Sequence, residues 1–146
     1  MSRGRTGAFH HVDLNVRDLA RSRPFYAALL TAMGYRCAVD RAEECRWDLA
    51  ESAPGVGDGA ALTILQARSA DRDHAHRRYA PGLHHLSWRA ASRAEVDRVH
   101  AAMRAAGIAV LHPPQAYPEY DGSYYAVFFE DPEGIKLEVA HTPDWI

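Results

Sequence analysis

His11, His85 and Glu138 are of the types, and in the settings, from which a metal site is built. His11 lies in an alternating stretch, residues 9–16, where Val12, Leu14 and Val16 are apolar and His11, Asp13 and Asn15 fall on the opposite face. His85 lies in a second such stretch, residues 83–89, with Leu86 and Trp88 on one face and His85, Ser87 and Arg89 on the other. Glu138 follows the turn Asp131-Pro132-Glu133-Gly134 on a third strand; Ile135, Leu137 and Val139 face away from it, so Glu138 points inward beside Lys136. Two imidazoles and one carboxylate converging from three strands make a facial set that leaves coordination positions open for water or substrate. The set suits one divalent ion, Fe²⁺, Mn²⁺, Ni²⁺ or Zn²⁺. Buried together without a cation, these groups would leave charge without a partner.

Other residues on these faces are candidates for chemistry. Asp13, beside His11 on the same strand face, is the candidate general base. Tyr124 shares a face with Ala126 and Phe128 and is the second catalytic candidate, with hairpin packing as its alternative. Asp13, Asn15, Ser87, Arg89 and Lys136 are inward polar residues that read equally as solvated lining or substrate contacts. Tyr117 and Tyr120 form either a lid or the anchor of their own loop. His10 and His84 face the helices or the rim and read as structural.

The elements that must position these residues come twice. Asp18 is set to cap a helix striped by Phe25, Leu29 and Met33 and closed by Gly34, with Pro24 implying an irregular first turn or a start at Ser22. Strands are expected over 35–39, 45–50 and 60–67, with a Gly- and Pro-rich loop over 52–59. After a charged connector, residues 68–82, the order begins again. Ser92 and Glu95 predict a capping box for a helix striped by Val96, Val99 and Met103 and ended by Gly107. A strand over 108–111, a loop over 112–122 and the closing hairpin follow. His11 and His85 are 74 residues apart, as are Asp18 and Ser92, and Gly34 and Gly107 are 73 apart, which indicates an internal repeat. The fold expected is α+β: two βαβββ modules, residues 8–67 and 83–141, forming a cup-shaped mixed sheet with helices outside, within one domain spanning 1–146.

Composition bounds the function classes. At 146 residues, 47% hydrophobic and 25% charged, the chain can bury a core, and no run has the length of a membrane span. A formal net charge of -2 with scattered arginines gives no electrostatic footprint for nucleic acid or anionic lipid. The basic residues 1–7 precede no apolar segment and read as a tail, not a secretion signal. With only Cys37 and Cys45, read as reduced thiols and not as a pair facing across a hairpin, the expected location is the cytoplasm.

The segments His11-Val12-Asp13-Leu14-Asn15-Val16, Gly82-Leu83-His84-His85-Leu86-Ser87-Trp88 and Phe129 to Glu138 resemble the vicinal oxygen chelate superfamily. That superfamily includes glyoxalase I, extradiol dioxygenases, methylmalonyl-CoA epimerase, fosfomycin-resistance thiol transferases and bleomycin-binding proteins. The resemblance extends from about Phe9 to His141. It implies a metal-dependent enzyme with one divalent ion held by His11, His85 and Glu138 and chelated by two adjacent oxygens of a small substrate, in a homodimer. Members differ at positions that matter here. Where glyoxalase I has a glutamate and the epimerase a glutamine, strand alternation places Thr63; where dioxygenases and thiol transferases keep a tyrosine, ten residues before the metal glutamate, this chain has Phe128. The thiol transferases have a threonine at the position of Asp13, and the histidine acid of a dioxygenase has only His74 and His76 as candidates. Lyase or isomerase proton transfer, needing a metal and one base, is therefore placed ahead of ring-cleaving dioxygenase chemistry and of metal-free antibiotic binding.

Overall fold

The computed structural model describes residues 9–49 and 60–144. The expected tail over 1–7, the loop over 52–59 and Ala50 lie outside the described residues. The chain divides into two compact units, Met1–His74 and Ala75–Ile146, with the division inside the expected connector.

The first unit contains β1 (His11–Val16), α1 (Leu19–Ala32), β2 (Tyr35–Asp40), β3 (Glu44–Leu49) and β4 (Ala61–Gln66). Its sheet runs β1-β4-β3-β2, with β1 and β4 parallel and the other pairs antiparallel. The Asp18 carboxylate accepts the Arg21 N–H at 3.2 Å, so α1 starts at Leu19 and not at Ser22. Pro24 is accommodated inside the helix with one bond of the ladder missing. The helix buries Tyr26, Leu29 and Leu30 against the sheet face made by Leu62, Ile64 and Trp47. Burial of one such leucine stabilises by about 1.5–3 kcal/mol, so this face fixes which way every strand residue points. The β2–β3 register sets Cys37 opposite Trp47 and Cys45 opposite Asp40, and both thiols are free.

The second unit contains β5 (His85–Arg89), α2 (Arg93–Ala105), β6 (His112–Ala116), β7 (Tyr125–Glu130) and β8 (Lys136–His141), ordered β5-β8-β7-β6 with β5 and β8 parallel. The same topology in both units makes the α+β, twice βαβββ architecture plain. Ser92 Oγ accepts the Glu95 N–H at 3.2 Å, while the Glu95 carboxylate, expected to return that bond, pairs with Arg98 at 2.6 Å; this pair holds the Glu95 carboxyl below its ordinary range. Val96, Val99 and Met103 pack over Leu137, Val139, Val127 and Phe129, all buried.

One element is displaced from expectation. The strand predicted over 108–111 is instead β6, His112–Ala116, within the segment read as a loop. Pro113 and Pro114 argued against a strand because they donate no ladder bond. They are tolerated because β6 is an edge strand whose register shifts between His112 and Gln115. Among the described residues, no helix is long and apolar enough to cross a membrane.

Candidate metal and substrate site

The β7–β8 turn sets the register that places Glu138. Asp131 Oδ1 accepts the N–H groups of Glu133 (2.9 Å) and Ile135 (2.8 Å), and Gly134 supplies the left-handed conformation, φ +85°, that the turn requires. Phe128 then pairs with Glu138, and Ser87 of β5 stands on its other side. With Leu137 and Val139 drawn under α2, Glu138 emerges on the opposite face, yet is only 1% exposed.

Both carboxylate oxygens of Glu138 are engaged. Oε1 accepts the hydroxyl of Tyr124, and Oε2 lies 3.2 Å from His85 Nε2. Burial, and then the bond to Glu138, push the Tyr124 phenol above its ordinary pKa, so it remains a donor at neutral pH. His85 Nδ1 is 2.7 Å from Nδ1 of His84, with the rings edge to face. With Nδ1 turned to His84, Nε2 is the nitrogen of His85 directed at Glu138. His84 itself is held below the usual histidine range, by desolvation first and then by the charges of His85, Arg78 and Lys136.

A cavity of about 460 Å³ opens beside this group, lined by His85, Ser87, Arg89, Glu138, Ala140 and Thr142 among others. Tyr124 and Ala140 join this lining to a buried cluster with Tyr117, Ala126 and Phe128, and Tyr120 stacks on Tyr117 at 5.5 Å. Tyr117 thus anchors the loop before β7, the second of its two readings. Lys136, on the same strand face as Glu138, sets its ammonium 4.1 Å from the centroid of the Phe128 ring.

The first unit repeats part of this plan. His11, Asp13, Thr63, Arg46, Asp48 and Glu44 line a cavity of about 530 Å³. His10 Nδ1 contacts His11 Nδ1 at 2.8 Å, as His84 contacts His85. Asp13 pairs in register with Thr63, and Thr63 with Arg46, so Thr63 occupies the position that Glu138 holds between Ser87 and Phe128. Arg46 Nε sits 3.0 Å from Asp48 Oδ1.

Of the predicted site residues, the structure joins His85, Glu138 and Tyr124 in the second unit, and His11 and Asp13 on one cavity wall of the first. Within neither unit, among the described residues, do three His, Cys, Asp or Glu side chains gather as a metal cluster. The His85–Glu138 pair nevertheless fits an ion. Two donors each about 2.1 Å from a cation at a right angle stand about 3.0 Å apart, close to the 3.2 Å found. Sequence reading missed the contact of Tyr124 with Glu138 and the ring-to-ring contact within each histidine doublet. The hairpin register carried the signal for the first, since with Phe128 opposite Glu138 the chain brings Tyr124 over the same face. The recurrence of His-His in both modules carried it for the second.

Comparison with known proteins agrees with this architecture. Residues 8–139 match the model of the Glyoxalase/Bleomycin resistance protein/Dioxygenase superfamily. The uncharacterised protein YqjT of Bacillus subtilis (strain 168) is 34% identical over 131 residues, covering 89% of this chain and 95% of that protein. A solved structure from Bacillus halodurans, proposed to be a glyoxalase, superposes with a TM-score of 0.74 at 27% identity, covering 94% of this chain and 97% of that one. Lactoylglutathione lyase of Agrobacterium tumefaciens shares the fold at a TM-score of 0.64 and 19% identity, covering 95% and 96% of the two chains. The repeated βαβββ unit and these matches together establish that the chain belongs to the Glyoxalase/Bleomycin resistance protein/Dioxygenase superfamily.

Proposed function

We propose that this chain is a metal-dependent enzyme that moves a proton on a small substrate bearing two neighbouring oxygens, in lyase or isomerase chemistry. The observation that carries the reading is Glu138, a carboxylate 1% exposed, turned by Tyr124 so that its second oxygen lies 3.2 Å from His85 Nε2. Such a carboxylate is costly to keep dry unless a cation also uses it. His85 and Glu138 are two ligands of one divalent ion. The resemblance to the superfamily adds His11, on β1 of a first unit, as the third. A bound divalent ion supplies Lewis acidity to the chelating oxygens. Tyr124 holds the Glu138 carboxylate in orientation, His84 holds the imidazole of His85, and Asp13, two residues from His11 on the same face, accepts the substrate proton at its carboxylate. Phe128 pairs with Glu138 where ring-cleaving relatives keep a tyrosine, and the phenol beside Glu138 is instead that of Tyr124, which donates to the carboxylate.

Metal analysis of protein purified without chelators tests the reading. About one Fe, Mn, Ni or Zn per chain is expected in the wild type, with marked loss in His85→Ala; wild-type protein without stoichiometric metal, even after reconstitution, refutes it. Oxygen uptake with a catechol panel would replace proton transfer by dioxygenase chemistry.

A further inference from the structure

We propose that the cavity of the second unit takes an anionic substrate, and that Arg89 is the residue that selects the anion. The inference rests on the metal-dependent reading of His85 and Glu138 and adds to it the charge of the ligand.

Along β5, His85, Ser87 and Arg89 follow one another on a single face, so Arg89 stands about 7 Å beyond the Ser87–Glu138 row and about 13 Å beyond His85. On the β8 side of it the lining is small, since Ala140 is its partner and Thr142 continues that edge, while Trp88 joins the lining from β5. Space is thus left next to the guanidinium for ligand atoms.

The balance of charge and hydrogen-bonding groups points one way. Glu138 is the carboxylate of this lining, and both its oxygens are engaged, by Tyr124 and by His85. The remaining polar side chains of the lining are Ser87 and Thr142 with their hydroxyls, Trp88 with its indole N–H, and Arg89 with five N–H donors. Among the described residues, no carboxylate pairs with Arg89. The first unit provides the contrast: its cavity holds Asp13, Glu44 and Asp48, and its one guanidinium, Arg46, is matched to Asp48 at 3.0 Å. Lys136 does not compete for the anion, since its ammonium lies over the Phe128 ring. A donor-rich cavity with a planar, unmatched fork at one end is complementary to a carboxylate or phosphate. The substrate class is therefore a compound with a metal-chelating pair of oxygens at one end and a carboxylate or phosphate at the other.

Two probes with the same chelating edge separate the charge from the chelation: catechol, and 3,4-dihydroxybenzoate, which adds a carboxylate at the far end of the ring. Binding of each is measured by calorimetry to Zn²⁺-reconstituted protein, since Zn²⁺ does not oxidise either probe. The wild type is expected to prefer 3,4-dihydroxybenzoate at least about tenfold more strongly than Arg89→Gln does, equivalent to about 1.4 kcal/mol. Catechol affinity should be the same in both proteins, Arg89→Lys should retain part of the preference, and added salt should erode it. A preference equal in wild type and Arg89→Gln overturns the role of Arg89. Protein that takes up Zn²⁺ but binds neither probe overturns the anionic substrate class, and failure to take up Zn²⁺ overturns the metal reading beneath it.

Discussion

Removing the hydroxyl of Tyr124 is the most direct perturbation of the site, because it changes one oxygen and leaves the ring in place. In Tyr124→Phe the aromatic contacts with Tyr120 (5.3 Å between centroids) and Tyr117 (6.3 Å) persist, and so does the cover over Ala126 and Ala140. What is lost is the donor to Glu138 Oε1, on a carboxylate only 1% exposed, where water has little access to replace it. A hydrogen bond to a charged group contributes about 1.5–3 kcal/mol, and stranding its acceptor in the interior draws on the full desolvation cost. For a chain of this size each kcal/mol moves the melting temperature by roughly 2–4 °C, so metal-stripped Tyr124→Phe should melt about 3–12 °C below the wild type. Glu138→Gln behaves differently: it keeps the shape and an acceptor for the phenol while removing the buried charge, so its metal-free stability should lie within about 1 kcal/mol of the wild type. In the double variant, Tyr124→Phe should cost at least about 1 kcal/mol less than it does alone. Thermal and urea unfolding of the four proteins, followed by circular dichroism in the presence of chelator, measures all of this. A Tyr124→Phe protein within about 0.5 kcal/mol of the wild type, or a double variant additive within that margin, refutes the contact as the clamp on Glu138.

Two further outcomes follow from the turns around the site. Gly134→Ala should destabilise by about 1–2 kcal/mol through its backbone alone, because φ is +85° while nothing lies within 4 Å of the added methyl; an unchanged urea midpoint would contradict the turn described. Asp121, whose carboxylate accepts the Ser123 N–H and Oγ–H at 2.7 Å each, is held below the usual carboxylate range by those two bonds. A depressed native value means its contribution is present above the unfolded value of about 4 and is lost as the pH falls through the native one. The stability gap between wild type and Asp121→Asn should therefore be larger at pH 6 than at pH 3, and a gap constant over that range would remove Asp121 from the acid response of the loop.

The parts of the fold legible in the sequence were those where one local rule governs a residue's direction. Val12, Leu14 and Val16 against His11, Asp13 and Asn15 is a period-two pattern, and the strand it predicts is β1. Asp18, Ser92, Gly34 and Gly107 mark helix ends through caps and positive φ, and both helices begin and end there. β6 was not legible, because whether Pro113 and Pro114 interrupt a strand depends on whether that strand is at an edge, a property of the whole sheet. The half-formed box at α2 is a similar case: Glu95 had a second partner, Arg98, one turn away, and took it. At the site, alternation gave the faces of His11, His85, Glu138 and Thr63, but the side chains that hold Glu138 and His85 in place were decided by cross-strand register and rotamers, which no single stretch encodes.

The divergence of the two repeats shows where the chemistry has been concentrated. Both modules place a histidine doublet at the mouth of the first strand, with nearly the same contact, 2.8 and 2.7 Å. Two rows further into the sheet they part. The first module reads Asp13, Thr63, Arg46, and its charges are distributed over an open polar wall where water and the Asp48–Arg46 pair can satisfy them. The second reads Ser87, Glu138, Phe128, and there the rings of Phe128, Tyr124 and Tyr117 dry the surroundings of one carboxylate. Exposed, Glu138 would be an ordinary solvated acid; enclosed, it has few partners, each of them fixed, and its orientation is set before any ligand arrives. The aromatic packing that replaces charge in the second module is thus the physical reason that this module, and not the first, holds the preorganised carboxylate.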